Sequence, residues 1–130
     1  MSSSPIEVVH VDGASYATST SGAGLLFVSG QVALADGGSV VGRGDASKQA
    51  EFAFLALFNA VQDGGSSPER ILKLGIFVVG TDNINAVRES RDRAFEPYDH
   101  RPASTLLVVP ALVDSDLLVE VDCVALLEDA

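Results

Sequence analysis

A run near the end of the chain, residues 117–127, alternates strictly and constrains the fold more than any other feature. Side chains of a strand point alternately to its two sides, so every second residue shares a side. One side carries Val119, Val121, Cys123, Ala125 and Leu127, and the other carries Leu118, Glu120, Asp122, Val124 and Leu126. The pattern predicts a strand with one wholly apolar side against a core and one side that mixes two acids with aliphatic residues.

Two interpretations of Glu120 and Asp122 are open. Carboxylates on an otherwise apolar strand are partly removed from water, which raises their pKa and suits a general base. Alternatively, they belong to a solvated face, because most half-buried strands carry polar residues outward. Both interpretations are compatible with the same alternation.

The composition is more apolar than a small monomer requires. The chain has 130 residues, 47% of them hydrophobic, and its mean hydropathy is +0.29. A chain of this length folds as one domain, here residues 1–130, and buries about two-thirds of the surface of its unfolded form. The apolar surplus predicts a homo-oligomer.

The charge balance excludes some classes of partner. A formal charge of −10 and a pI near 4.3 repel nucleic acids and anionic membrane surfaces. Within this acidic chain, Arg88, Arg91 and Arg93 lie close together and Arg101 follows. They are either solvated helix residues or a local positive patch that suits a small anion.

The sequence indicates neither a disulfide nor a metal site. Cys123 is the only cysteine, and unpaired cysteine is usually a core residue. His10 and His100 have no metal-ligand spacing to it. Residues 1–5 do not resemble a targeting segment, and no apolar run approaches the roughly 20 residues of a membrane span. We therefore expect a cytoplasmic protein with no metal and no membrane partner.

The order of the predicted elements is typical of an α+β fold, with one sheet and two helices packed on one of its faces. The pattern predicts a helix from Asp45 or Ser47 to about Gln62 and a second from Thr81 or Asp82 to Pro97. Strands are predicted over residues 6–10, 24–29, 71–79, 101–109 and 117–127. Within residues 71–79, alternation predicts that Leu72, Leu74, Ile76 and Val78 share one side. A Gly/Ser/Thr-rich connection that carries Tyr16 separates the first two strands.

The tripeptide Ser29-Gly30-Gln31 interrupts an apolar strand. A glycine there lets another group approach the backbone closely, and the flanking polar side chains can hydrogen-bond a ligand. An ordinary bulge or strand bend is the alternative.

Several segments, taken in order and with their spacing, resemble the Rid family, also called YjgF or L-PSP proteins. They are Tyr16, residues 27–31 (FVSGQ), Gln49, Asn59, Gly64-Gly65, residues 74–78 (LGIFV), residues 101–105 (RPAST) and residues 119–125 (VEVDCVA). The resemblance implies a chorismate-mutase-like α+β fold, a homotrimer and a ligand cleft at each subunit junction. In the family's deaminase branch, a glutamate on the last strand positions the water that hydrolyses an imine or enamine. The matching residue is Glu120, and Tyr16, Ser29 and Gly30 match other cleft positions.

The main departure from the family pattern is Ser104. In the deaminase branch this position, one residue beyond the Pro-Ala pair, is an arginine that binds the substrate carboxylate, so the chain resembles the arginine-less subgroups. Arg88 is a second departure, because the deaminase branch tends to have asparagine there. We hypothesise that Arg88 and Arg101 supply the cation that binds an anionic ligand.

Three functions are compatible with this resemblance. The first is hydrolysis of an imine, enamine or related metabolite without a cofactor. Glu120 would be the base, backbone amides near Thr105 and Leu106 would hold a carboxylate or oxyanion, and Ser104 or Thr105 would orient the substrate. The second is a non-catalytic trimer that binds or senses small carboxylic or 2-oxo acids. The third, RNA cleavage or inhibition of translation, fits an acidic chain least.

Overall fold

The computed structural model describes residues 5–11 and 13–129. Its helices are α1 (Ala46–Asp63) and α2 (Ile84–Phe95), and short 3-10 turns cover Pro68–Arg70, Thr81–Asn83 and Glu96–Tyr98. Its strands are β1 (Glu7–His10), β2 (Ala17–Gly22), β3 (Leu25–Val32), β4 (Ile71–Val79), β5 (Ala103–Val109) and β6 (Val119–Leu126). Residues 1–4, on which much of the expectation of no targeting segment rests, lie outside the described residues.

The strands form one mixed sheet in the order β1-β2-β3-β6-β4-β5. β4 and β5 run parallel, and the other neighbours are antiparallel. Both helices contribute to one core on a single face of this sheet. The predicted α+β fold, two helices packed on one sheet, is confirmed. Within the described residues, neither helix is long and apolar enough to cross a bilayer.

The first helix has the predicted ends. The Asp45 carboxylate accepts a hydrogen bond from the Lys48 backbone N–H at 3.0 Å, which satisfies one of the free donors of the first turn. Gly64 follows the last turn as the C-cap. The helix buries Phe54, Leu57 and other apolar side chains, each contributing about 1.5–3 kcal/mol if fully buried, and leaves Leu55 exposed.

The prediction that residues 11–23 form only a connection is wrong, because β2 lies within them and pairs with β1 and β3. This strand lacks the large apolar side chains by which strands are recognised. Its buried side carries Ser19 and Ser21 instead. Gly64 packs against Leu26 of β3 and beside Ser19, because an added Cβ would lie 2.7 Å from Leu26 Cδ1 and 3.2 Å from the Ser19 hydroxyl. Small side chains are therefore what lets the end of α1 approach β2.

The predicted bounds of β4 are confirmed, but its face assignment is wrong at the start. A bulge between Ile71 and Lys73 shifts the register against β6, so Ile71 is buried and Leu72 is exposed. From Leu74 onward the alternation follows the prediction, with Leu74, Ile76 and Val78 in the core.

A buried side chain of α1 holds the loop that leads into β6. Gln49 is fully buried, and its amide donates to the backbone oxygens of Gly42 and Asp116 at 3.1 and 2.9 Å. Its side-chain oxygen accepts from the Leu118 N–H at 2.8 Å. The buried amide of Gln49 thus has partners for its donors and its acceptor, and these bonds fix the start of β6 relative to α1.

Candidate functional site

Glu120 and Asp122 project from β6 on the face of the sheet opposite the helices, hereafter the open face. Their neighbours Val119 and Val121 are fully buried beneath the helices, so the predicted alternation is confirmed. In the adjacent strand β4, Phe77 pairs with Glu120 and Gly75 pairs with Asp122. Both acids are half-buried rather than solvated.

Each acid lies over a glycine of a neighbouring strand. A Cβ atom on Gly30 would be 2.7 Å from Glu120 Cδ, and one on Gly75 would be 3.2 Å from Asp122 Cγ and closer still to its oxygen. Gly30 belongs to an irregularity between Val28 and Gln31 in the pairing of β3 with β6. The bulge and the missing side chain together make room for the Glu120 carboxylate.

Burial raises the pKa of Glu120, and the nearby Asp122 carboxylate raises it further. Burial also raises the pKa of Asp122, but a hydrogen bond from the Gly75 backbone lowers it in part. Glu120 is therefore the acid whose surroundings all favour uptake of a proton. Cys123 is no competing nucleophile, because burial and the Asp122 charge raise the pKa of its thiol to about 12.

Ser29 and Tyr16 lie at the same end of the sheet as Glu120. The Ser29 hydroxyl donates to the Ala17 carbonyl at 2.8 Å, and the Gln31 amide donates to the Ser29 carbonyl at 3.0 Å. Tyr16 directly precedes Ala17, and its side chain is 66% exposed. The structure thus brings Tyr16, Ser29 and Gly30 to the region of Glu120.

A small cavity of about 210 Å³ lies on the open face beside Asp122. Phe27, Gly75 and Val124 line it, together with Lys73, whose ammonium donates a hydrogen bond to the Thr105 hydroxyl. This places one cation on the same face as the two acids. Nothing in the sequence marks Lys73 as a site residue, although its spacing of two from Gly75 sets it on the same face.

A larger cavity of about 610 Å³ lies between α2 and the start of β5, and we call it the α2–β5 cleft. Ser104 lines this cleft and pairs with the buried Leu74, which sets it on the helix side of the sheet. Thr105 pairs with Gly75 and lies on the open face. Ser104 and Glu120 therefore lie on opposite faces of the sheet within one chain.

The arginines divide between this cleft and the surface. Arg91, Arg93 and Arg101 line the cleft, whereas Arg88 is exposed on α2 outside its lining. Leu106 packs its side chain against the core. Its strand, β5, is an edge strand, so part of its backbone N–H and C=O groups point away from β4.

His100 forms a fixed wall of the cleft that the sequence did not reveal. Its Nε2 lies 2.7 Å from the Ile71 carbonyl, which can only accept, so Nε2 carries the hydrogen. The ring also stands edge-on to Phe95, with centroids 6.3 Å apart. The contact with Ile71 spans 29 residues, so no local sequence signal could have found it. Within the described residues, no group of three His, Cys, Asp or Glu side chains could hold a metal ion.

Comparison with known proteins agrees with this fold. The sequence profile of the family described as Endoribonuclease L-PSP matches residues 11–127. A RutC family protein from Synechocystis is 31% identical over 105 residues, which cover 80% of this chain and 79% of the relative. The mitochondrial protein mmf1 from Schizosaccharomyces pombe is 30% identical over 79% of this chain and 62% of its own length.

Solved structures share the whole fold at lower identity. YyfA from Yersinia pestis, a member of the Rid protein family, superposes with a TM-score of 0.84 at 24% identity over 94% of this chain and 99% of its own. TdcF from E. coli, solved with bound serine, superposes with a TM-score of 0.83 at 18% identity, over 92% of this chain and 98% of its own. Because the profile match spans all but the ends of the chain, the protein belongs to the endoribonuclease L-PSP family, which is the Rid or YjgF family that its sequence motifs resemble.

Proposed function

We propose that the chain is a Rid-type hydrolase that deaminates imines or enamines, with Glu120 as the general base that positions water. The observation that supports this most directly is the position of the Glu120 carboxylate, which is half-buried and lies over Gly30. Burial raises the pKa of Glu120, and the Asp122 carboxylate raises it further. A base transfers protons best when its pKa approaches the working pH. The glycine makes room for the carboxylate, which remains partly exposed.

The proposed reaction needs only water and the imine. The carboxylate of Glu120 takes a proton from water while the water oxygen forms a bond to the imine carbon. The proton then passes to the nitrogen, which gives a carbinolamine. As the carbon–nitrogen bond breaks, Glu120 carries the hydroxyl proton to the leaving nitrogen, so the carbonyl forms and ammonia departs. No electron acceptor enters this balance, so no cofactor is part of the proposal.

The proposal includes assembly into a homotrimer. The open face exposes Phe27 (48%), Leu107 (51%) and Val8 (45%), and apolar side chains gathered on one face are typical of an interface. Glu120 and the α2–β5 cleft lie on opposite faces of one chain. We propose that a second copy sets its open face beside the cleft of its neighbour, so that each complete site uses residues of two copies.

A second candidate function is a non-catalytic binder of small carboxylic or 2-oxo acids. It is favoured by Ser104, which stands where the resemblance implies a substrate-binding arginine. RNA cleavage is not proposed in spite of the family's name, because a chain with a formal charge of −10 repels a phosphate backbone. The proposed location is the cytoplasm.

An ammonia-release assay separates the two candidates. Imines are generated in situ from several amino acids by an amino-acid oxidase, and ammonia is followed with and without the protein. The hydrolase proposal expects the protein to accelerate release from at least one imine. If an intact oligomer binds the matching 2-oxo acid but accelerates no release, the binder is the better account.

A further inference from the structure

Glu120 and Asp122 share the open face of β6 but lean toward different neighbouring strands. They are two residues apart on one side of the strand, a spacing of about 6–7 Å along it. The Glu120 carboxylate lies over Gly30 of β3, and the Asp122 carboxylate lies over Gly75 of β4. Within the described residues, no hydrogen bond joins the two acids. They therefore share no proton, and Asp122 acts on Glu120 through space.

Asp122 is the acid that ionises first. Burial raises the pKa of both carboxyl groups, but a hydrogen bond from the Gly75 backbone lowers that of Asp122 in part. Asp122 also starts from the lower ordinary pKa, 3.8 against 4.5 for Glu120. As the pH rises, the negative charge of Asp122 is therefore in place while Glu120 still holds its proton.

The cation on the open face does not cancel this charge. Lys73 lines the same cavity as Asp122, but its ammonium donates to the Thr105 hydroxyl. Thr105 and Asp122 pair with Gly75 from opposite sides, one in β5 and the other in β6. The bond to Thr105 thus draws the ammonium toward β5 and away from Asp122. Among residues 5–11 and 13–129, neither Glu120 nor Asp122 forms an ion pair.

The strands around Glu120 contribute few other charges. In the described strands, β3 and β5 contain no Asp, Glu, Lys, Arg or His, β4 contains Lys73, and β6 contains Asp122. Val32 of β3 and Phe77 of β4 pair with Glu120 directly. Tyr16, at the same end of the sheet, contributes a phenol rather than a carboxylate or a cation. Asp122 is therefore the nearest described charge along the sheet that can act on Glu120.

We infer that Asp122 is a positioning residue for the proposed base, because its uncompensated charge holds the proton on Glu120 and makes that carboxylate the stronger base. This inference deepens the proposed function and rests on it in taking Glu120 as the general base. A stronger base takes a proton from water more readily, as long as it is ionised at the working pH. Lys73 and Thr105 support the effect, since the bond between them keeps the cation from neutralising Asp122.

The titration of Glu120 tests the effect without any substrate. The carboxyl carbon is followed by NMR in the ¹³C-labelled protein, and Glu120→Gln identifies its signal. Asp122→Asn keeps the size of the side chain but removes its charge, so the midpoint of Glu120 should move to lower pH. The charge-matched control is Asp114→Asn, in the loop between β5 and β6. Asp114 accepts a hydrogen bond from the Asp116 N–H, which asparagine can also accept, and the midpoint should not move.

The pH profile of ammonia release gives a second readout. The acid limb of kcat/KM reports the ionisation of the essential base in the free enzyme. Asp122→Asn should move this limb to lower pH, in step with the NMR midpoint, and should lower the plateau because the base is weaker. Asp122→Glu keeps the charge and should restore the native limb. A merely structural role of Asp122 would lower activity without moving the limb.

An unmoved Glu120 midpoint in Asp122→Asn, or an equal shift in Asp114→Asn, would overturn the inference. A lower midpoint without ammonia release from any imine would reject the hydrolase and leave the effect of Asp122 on Glu120 standing. Ammonia release by the native protein with an unmoved midpoint in Asp122→Asn would do the reverse.

Discussion

The Glu120 carboxylate occupies the space that a side chain on Gly30 would need. The two residues come from neighbouring strands, and a Cβ on Gly30 would lie 2.7 Å from Glu120 Cδ and 3.1 Å from its Cγ. Gly30 has no positive φ that would explain a glycine by itself. Gly30 therefore serves to let the Glu120 carboxylate approach the backbone of β3 closely. This contact links the FVSGQ segment of β3 to the proposed base on β6.

Gly30→Ala should displace the Glu120 carboxylate; because this is the far end of a flexible, half-buried side chain, the free energy of unfolding should fall by about 1 kcal/mol, the low end of the overpacking range. The same substitution in a Glu120→Ala background should cost much less, because the clash is gone. A double-mutant cycle by urea unfolding measures this coupling. Gly75→Ala is the matched control, since it displaces Asp122 instead. Additive effects of Gly30→Ala and Glu120→Ala would show that the two groups do not compete for space.

The raised pKa values predict how stability depends on pH. Burial, with Asp122, raises the pKa of Glu120 above its ordinary 4.5, and burial raises that of Asp122 above 3.8. The unfolded chain therefore ionises these groups first as pH rises, and the folded state loses stability through that range. Glu120→Gln and Asp122→Asn should each be more stable than the native protein at neutral pH and equal to it below about pH 4. Urea midpoints measured across pH check this, and a variant that is less stable at neutral pH would contradict it.

Ser104→Arg should restore a carboxylate anchor in the α2–β5 cleft. A guanidinium there can form charge-assisted, bidentate bonds, so pyruvate should bind about tenfold more tightly. Ser104→Gln adds a long polar side chain without the charge and serves as the control. Calorimetric titration of both variants checks the prediction, and an equal gain in the two would assign the effect to size rather than charge.

The open face should be the surface through which copies of the chain assemble. Leu107→Glu puts a charge on that face and should shift a trimer to smaller species in light scattering. Leu55→Glu is the matched control, because Leu55 is similarly exposed, at 59% against 51%, but lies on α1 on the other side of the sheet. Dissociation by Leu55→Glu alone would place the interface on the helix side.

Sequence periodicity was sufficient for much of this fold. The faces of β6, the bounds of β4 and the cap at Asp45 follow from local patterns, because strand alternation and helix capping act over a few residues. β2 was missed because Ser19 and Ser21 bury a side that carries no large apolar group. Leu72 was assigned to the wrong face because a bulge leaves no clear trace in the sequence.

The candidate site was predictable only where it depends on one strand. The side of Glu120 follows from alternation, but its contact with Gly30 depends on the pairing of β3 with β6. The cleft lies between α2 and β5, so Arg91, Arg93 and Arg101 come together only when both elements are in place. Likewise, the hydrogen bond from His100 to Ile71 spans 29 residues.

The most direct test of the account compares ammonia release by the native protein and by Glu120→Gln on the imine that the native protein hydrolyses fastest. Glutamine keeps the volume and much of the hydrogen bonding of glutamate but cannot take a proton, so turnover should fall on the order of a hundredfold or more. Binding of the matching 2-oxo acid and the oligomeric state, measured on the same samples, should persist. Full turnover by Glu120→Gln would contradict the assignment of Glu120 as the general base.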